Sequence, residues 1–433
     1  MMKIHSYPES KKWGALTSRP QLNREAMEPL VRGIISEVKA EGDRAVRKYS
    51  MEFDGISVKE LRVTVTEINE AIATIPPELK DAIKLAKQNI EKFHASQIIE
   101  EQVTETTSGV KCWRKNLALE TAGLYIPGGT APLFSTILML AIPAKIAGCD
   151  RVVLCTPPSK NGKINPVLLY TAWLTGVDEI YMAGGAQAIA AMAYGTGSIP
   201  RVNKIFGPGN QYVTRAKQLV QLDGVAIDMP AGPSEVLVIA DKDAKPEFIA
   251  ADLLSQAEHG IDSQVVFVTD NESLIGNVEK EIAFQIEVLP RKEIASFALG
   301  NSFSVLLKNL DECMAFSNLY APEHLIISTK NARELAEKVQ NAGSVFIGEY
   351  SCESAGDYAS GTNHTLPTNG HARSYSGVSV ESFMKKVTFQ EVTSEGLINI
   401  GKAIEIMAEA EKLTAHKNAV SIRLKNIEYE QNR

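Results

Sequence analysis

The chain has 433 residues, of which 44% are hydrophobic and 22% charged, the composition of a globular protein with room for roughly two to four domains. A net charge of −7 with no lysine or arginine run argues against a nucleic-acid partner. Five cysteines scattered without a CxxC pair, no apolar core in MMKIHSYPESKKW, and a most apolar stretch (133–142) too short for a bilayer argue against a disulfide framework, a secretory signal and a membrane span; the expected compartment is the cytoplasm.

Residues 1–22 are polar and mixed and read as an extended arm. Asn23 can cap a helix running to about Tyr49, with Val31, Ile34, Ile35, Val38, Ala45 and Val46 near a 3.6 period. Phe53-Asp54-Gly55 is a turn, and a short strand is expected at Leu61–Val65. Thr66 opens a helix to about Thr74, and Pro76-Pro77-Glu78 starts another, whose Leu79, Ile83, Ala86, Ile90 and Phe93 mark one buried face. Val110–Lys115 and its neighbours read as an antiparallel hairpin with Trp113 in its core.

From Gly123 the texture changes. A strand, a glycine turn and an apolar helix are followed by strands at Arg151–Thr156, Glu179–Ala183, Lys204–Phe206 and Val225–Asp228, with helical stretches between them. That alternation means βαβ units and a parallel sheet, so residues 123–236 form a small doubly wound domain. Strands at Glu235–Ala240, Gln264–Thr269, Phe303–Leu307 and Leu325–Ser328 predict a second α/β layer. This main domain would comprise 23–122 and 237–381, with the smaller one inserted into it. After Val380 the chain reads as helical, at 382–385 and 394–412, and ends in a polar amphipathic tail; 382–433 and the arm stand outside both domains.

The segment Ala342–Arg373 opens on a strand, Ser344–Ile347, and continues as a long polar run in which Asp357, His364 and His371 follow no period. A loop of that length in a compact domain is usually functional or disordered, and Tyr350, Tyr358 and Leu366 give it apolar anchors. Five of the seven histidines, His259, His324, His364, His371 and His416, lie in the C-terminal part in polar or carboxylate-bearing contexts. Gln256 and His259, three apart on a predicted helix, share a face; they can hold an ion together or form a polar helix end. Asp357 and His416 would complete a nitrogen and oxygen ligand set suited to Zn²⁺, Mn²⁺ or Co²⁺. Glu323-His324, at a loop-to-strand edge, fits equally a local ion pair and a pair that divides proton chemistry. The turns YIPGGT (125–130), AGGAQ (183–187) and GPGN (207–210) offer backbone amides suited to phosphate, although no GxGxxG occurs in the chain. No cysteine has a neighbour that would activate it, and only Cys352 lies near the candidate site.

Taken together, several stretches resemble the histidinol dehydrogenases: GLYIPGGTAPLFST (123–136), AGGAQAIAA (183–191), KIFGPGNQYV (204–213), DMPAGPSEVLVIAD (228–241), LLSQAEHG (253–260), APEHL (321–325), GDYASGTNHTLPT (356–368) and AHKNAVSIR (415–423). They run in the family's order. The resemblance implies an aldehyde-dehydrogenase-like α/β fold of two domains, one an incomplete Rossmann-like nucleotide domain, with a helical N-terminal arm and C-terminal tail. It implies oxidation of L-histidinol through L-histidinaldehyde to L-histidine with two NAD⁺ and a Zn²⁺ ion. Gln256, His259, Asp357 and His416 would ligate the metal, which positions the substrate rather than polarising its carbonyl. His324 would be the base for alcohol oxidation and Glu323 would activate water for aldehyde hydration. Ser234, His364 and Glu411 would join His324 and the metal ligands as substrate contacts, and Tyr125, Gln187 and Asn210 would touch NAD. The implied assembly is a homodimer in which Glu411 and His416 reach the partner's site. His371 takes no role. The competing readings are a zinc hydrolase without nucleotide, a thiol-based aldehyde dehydrogenase and a non-enzymatic metal-binding protein.

Overall fold

The computed structural model describes residues 2–19, 24–128, 131–230 and 232–433. They form two compact units, one of residues 1–97 and 119–383, the other of 98–118 and 384–433. In chain order the strands are β1 (Lys3–Ser6), β2 (Val103–Thr107), β3 (Val110–Ala118), β4 (Thr121–Tyr125), β5 (Arg151–Thr156), β6 (Glu179–Met182) and β7 (Lys204–Phe206). They continue with β8 (Ala226–Ile227), β9 (Glu235–Ala240), β10 (Gln264–Thr269), β11 (Phe303–Leu306), β12 (His324–Ser328), β13 (Ser344–Ile347) and β14 (Met384–Val392).

The first unit contains two parallel sheets. The larger has the order β1-β11-β10-β9-β12-β13 and the smaller β6-β5-β4-β7-β8, which is the α/β architecture the strand and helix alternation predicts. The central strands of the larger sheet are apolar on both faces because both are covered. Val236, Val238 and Phe267 pack into one core layer, while Leu237, Ile239, Val266 and Val268 pack into the other. Burying each such side chain is worth about 1.5–3 kcal/mol. The helix Pro77–Ala95 lays Ile83, Ala86 and Ile90 against Leu138, Met139 and Ile142 of the helix Phe134–Ala147 beside the smaller sheet.

The second unit is an antiparallel sheet, β14-β3-β2, with the helices Ser394–Ala410 and Thr414–Gln431. The expected hairpin is β2–β3, and β14 pairs with β3 along its whole length. Helix was expected at 382–385; instead a 3-10 turn, Val380–Phe383, runs into β14. The overlooked signal is a period of two: Phe389 lies opposite Trp113 in register, and their rings stack with centroids 5.5 Å apart.

Other differences have similarly local causes. The expected extended arm contains β1, which joins the edge of the larger sheet, and helical turns at Ser10–Lys12 and Trp13–Leu16. The helix expected to run to Tyr49 breaks at Gly42, whose φ of 58° is left-handed, into Arg24–Glu41 and Asp43–Tyr49; its proposed cap, Asn23, lies outside the described residues. At 61–65 there is a single bridge, Arg62 to Tyr181, and the following helix starts at Val65 because Thr64 and Glu67 form a capping box. No helix among the described residues is long and apolar enough to cross a membrane.

Candidate functional site

In the larger sheet β10 and β11 are laid down on one side of β9, while β12 and β13 lie on the other. Strands β9 and β12 are parallel neighbours, with His324 opposite Val236. The candidate residues collect at the amino ends of these two strands. Residue Glu235, the first of β9, holds both members of the Glu323-His324 pair through its peptide groups. Its N–H donates to Glu323 Oε2 at 2.9 Å, and its carbonyl lies 3.1 Å from His324 Nδ1. A carbonyl only accepts, so Nδ1 carries the imidazole proton, and Nε2, buried and without a hydrogen-bond partner among the described residues, is the basic nitrogen. Glu235 is itself fixed. Its carboxylate takes a bidentate pair from Arg19, at 2.8 and 2.7 Å, and an N–H from Asn369 at 3.0 Å.

Asp357 is the hub of the remaining groups. Its carboxylate lies 3.8 Å from His324 Nε2, 3.8 Å from His364 Nδ1 and 4.0 Å from His259 Nε2. His364 is oriented by the Asp357 carbonyl, 2.9 Å from Nδ1, and by Thr136 Oγ1, 3.3 Å from Nε2. Gln256, fully buried near the end of the helix Pro246–Ala257, sets one end of its amide 2.9 Å from Glu353 Oε1, 3.3 Å from the Glu235 carbonyl and 3.1 Å from His324 Nδ1; with two acceptors there, that end is read as the nitrogen. His259, Glu353 and Asp357 bring ligand atoms within 4.8 Å of one another. Two carboxylates and an imidazole beside an amide make a hard to borderline donor set with no thiolate, which fits Zn²⁺ or Mn²⁺ better than a soft ion.

Burial dominates the electrostatics. It holds the His324 imidazole down at about 4, against an ordinary 6.5, and lifts the Glu323 and Glu353 carboxyls well above the usual carboxylate range. His324 therefore stays neutral and basic at neutral pH. The linkage has a definite sign: below pH 6.5 the unfolded chain takes up a proton that folded His324 refuses until about pH 4, so stability is lost as pH falls across that window. In metal-free protein, the stability difference between the parent and His324→Gln should change by about 3 kcal/mol between those limits, measured by urea unfolding at a series of pH values. A pH-independent difference would mean the imidazole is not held neutral.

A concavity lies at the carboxyl ends of the smaller sheet, where β5 and β6 lie on one side of β4 and β7 and β8 on the other. Crevices at such switch points are the usual ligand sites of open α/β sheets. This one has a volume of about 1180 Å³, and Tyr125, Gly128, Pro157, Gln187 and Asn210 are among its walls. Tyr125 Oη accepts the Gly185 N–H at 3.0 Å, the Asn210 side chain caps the helix Gln211–Gln221, and Gln187 Oε1 is buried without a partner among the described residues. Gly207 must be glycine: at φ 124° a Cβ would sit 2.0 Å from the Tyr125 carbonyl. Its loop is held by Lys217, which is buried, pairs with Asp228 and donates to the Gly207 carbonyl at 2.8 Å. Residues 129 and 130 of the expected YIPGGT turn, and residue 231 before β9, lie outside the described residues.

The structure thus gathers Gln256, His259, Glu323, His324, Asp357 and His364 in one cluster of the first unit, with Ser234 immediately before β9. Tyr125, Gln187 and Asn210 line the cavity at the smaller sheet. Glu411 and His416 belong to the second unit, where both are exposed. Sequence reasoning missed Glu235, Arg19 and Glu353. Glu353 and Asp357 are four apart on a short helix, Glu353–Tyr358, and share its face; the segment read as aperiodic hides that signal. Of the cysteines, Cys149, Cys155 and Cys313 are buried, with Cys149 pushed up to about 11, which disfavours a thiol nucleophile.

The chain matches the Histidinol dehydrogenase family over residues 17–424. It is 59% identical to histidinol dehydrogenase of Bacteroides thetaiotaomicron, covering 99% of this chain and 100% of that protein. With the chloroplastic histidinol dehydrogenase of Arabidopsis thaliana it shares 53% identity, over 96% of this chain and 90% of the other. The crystal structure of histidinol dehydrogenase from Elizabethkingia anophelis superposes with a TM-score of 0.97 at 56% identity, covering 99% of both chains.

Proposed function

Because the chain belongs to the histidinol dehydrogenase family, we propose that two sites divide one four-electron oxidation, L-histidinol to L-histidine: a substrate site at the amino ends of β9 and β12 and an NAD site at the carboxyl ends of β4 and β7. The observation that carries this reading is the pairing of Glu323 and His324 through one residue, Glu235. Two proton acceptors sit side by side, each held by its own peptide group, and two successive oxidations need two. His324 Nε2 takes the hydroxyl proton as the alcohol carbon gives up its hydride. Glu323 takes a proton from the water that adds to the aldehyde, and the resulting hydrate gives up the second hydride. A carboxyl raised by burial is the stronger base once ionised, which suits it to water.

Gln256, His259 and Asp357, with His416, would hold a Zn²⁺ ion that grips the substrate's imidazole and amine and so fixes its position. Ser234, His364 and Glu411 complete the substrate's surroundings. The unpartnered His324 Nε2 supports a site built for a ligand. Tyr125, Gln187 and Asn210 would contact NAD; the volume of that cavity favours a dinucleotide over the hydrolase reading. Five free thiols suit the cytoplasm.

The test is NADH formation from L-histidinol, with and without a chelator and with Zn²⁺ restored. Two NADH per histidinol, lost with chelator and regained with zinc, is the expected result; one NADH would remove the role given to Glu323. We further propose a homodimer in which each copy supplies Glu411 and His416 to its partner's site, a reading supported by exposed Ile398, Ile406, Met407 and Ile422 on the second unit's helices. Mixing the variants Glu323→Gln, which stops at the aldehyde, and His416→Asn under subunit exchange should then restore oxidation through to L-histidine, since one site of the mixed dimer is wholly parental. No recovery would return His416 to its own subunit's site.

A further inference from the structure

The mechanism leaves one fully buried carboxylate without a task, Glu353. It is 1% exposed, its Oε2 has no hydrogen-bond partner among the described residues, and it stands beside a residue read as a metal ligand. We propose that Glu353 is a positioning residue that turns the Gln256 amide so that its oxygen, and not its nitrogen, is left to face the metal. This rests on the reading of Gln256 as a ligand.

An amide has two ends of similar shape and opposite use. Only the oxygen has a lone pair to give; the NH₂ group presents hydrogens to a cation and repels it. The last torsion of glutamine is broad and roughly two-fold, so nothing within the side chain chooses between the ends. The choice is made by the neighbours. Here one end of the amide lies 2.9 Å from Glu353 Oε1, 3.3 Å from the Glu235 carbonyl and 3.1 Å from His324 Nδ1, whose own proton is already given to that carbonyl. With oxygen at that end the amide would set oxygen against oxygen at the Glu235 carbonyl, and at Glu353 whenever its carboxyl is ionised; with nitrogen there both contacts become hydrogen bonds. The oxygen is therefore turned away from Glu353.

The acceptor is itself held against the helix it serves. Glu353 is the first residue of the helix Glu353–Tyr358, which packs against the helix Pro246–Ala257 that carries Gln256. The packing of the two helices sets where Glu353 meets Gln256.

The test is a double-variant cycle read by zinc affinity, using competition with a chromophoric chelator on the full chain. In the parent background, Glu353→Gln replaces an acceptor by a group that can also donate, so the Gln256 amide is no longer committed. Zinc affinity should fall by about 10–100-fold, the usual cost of losing a residue that orients a ligand. In a Gln256→Glu background both oxygens are equivalent and need no orienting, so adding Glu353→Gln should cost nothing. A purely structural role would lower affinity in both backgrounds and would overturn the proposal, as would no loss in either. Co²⁺ loaded in place of zinc adds a second readout: its visible absorption should keep its shape in Glu353→Gln, and a changed coordination spectrum would make Glu353 a direct ligand. If Glu353→Gln does not fold, Glu353→Asp, which withdraws the acceptor by about one methylene, carries the same cycle. Failure of the parent to bind zinc at all would count against the metal site itself, separately from Glu353.

Discussion

His324→Asn is expected to reduce NADH formation from L-histidinol by about 10²–10⁴-fold, while Glu323→Gln spares that step and blocks the oxidation of L-histidinaldehyde. Each substitution keeps shape and removes proton uptake. At position 323 the glutamine oxygen can still accept the Glu235 N–H now bonded to the carboxylate at 2.9 Å, so the loss should not come from disorder. At 324 the imidazole, held near 4, is the group with a free basic nitrogen facing Asp357. The measurement is single-turnover NADH formation from each substrate. If both variants lose both steps equally, the two groups act as one unit and the division of labour is wrong.

The second large effect concerns the metal. Asp357→Asn should lower zinc affinity by more than about 100-fold, since 10–100-fold is the usual cost for residues that merely orient a ligand and Asp357 would be a ligand. Activity should fall with it and should not be regained at zinc concentrations that restore the chelated parent. Asp357 also faces His259, His324 and His364, so its loss leaves three imidazoles within about 4 Å of a neutral amide. The experiment is metal content by atomic absorption after dialysis, beside activity. Full retention of zinc by the variant would remove Asp357 from the ligand set.

Much of this protein is legible along its sequence because its strands are buried on both faces. Glu235–Ala240 and Gln264–Thr269 read as unbroken apolar runs, and the helices between them fix parallel pairing. Period two is weaker where one face meets water, and so β14, with lysines at 385 and 386, is easily mistaken for helix. The candidate site was legible as residue types and family motifs, not as a place. Nothing in the local spacing brings Gln256 within reach of Glu353, or Arg19 to Glu235 across 216 positions. Those contacts are made by tertiary folding, and the residues that only hold others carry no motif. Glu235 shows why: its contribution to Glu323 and His324 passes through its peptide group, which every residue except proline possesses.

The short first strand has a bearing on how the protein can be handled. Strand β1 pairs along its four residues with β11, and so covers what would otherwise be the rim of a five-stranded sheet. Without it, Phe303–Leu306 would present free peptide groups flanked by buried apolar side chains, a template for another chain to extend. Trimming the first eight residues would therefore be felt far from the catalytic groups, as self-association and loss of soluble material on storage. A tag is better joined at the other terminus or set off by a flexible spacer.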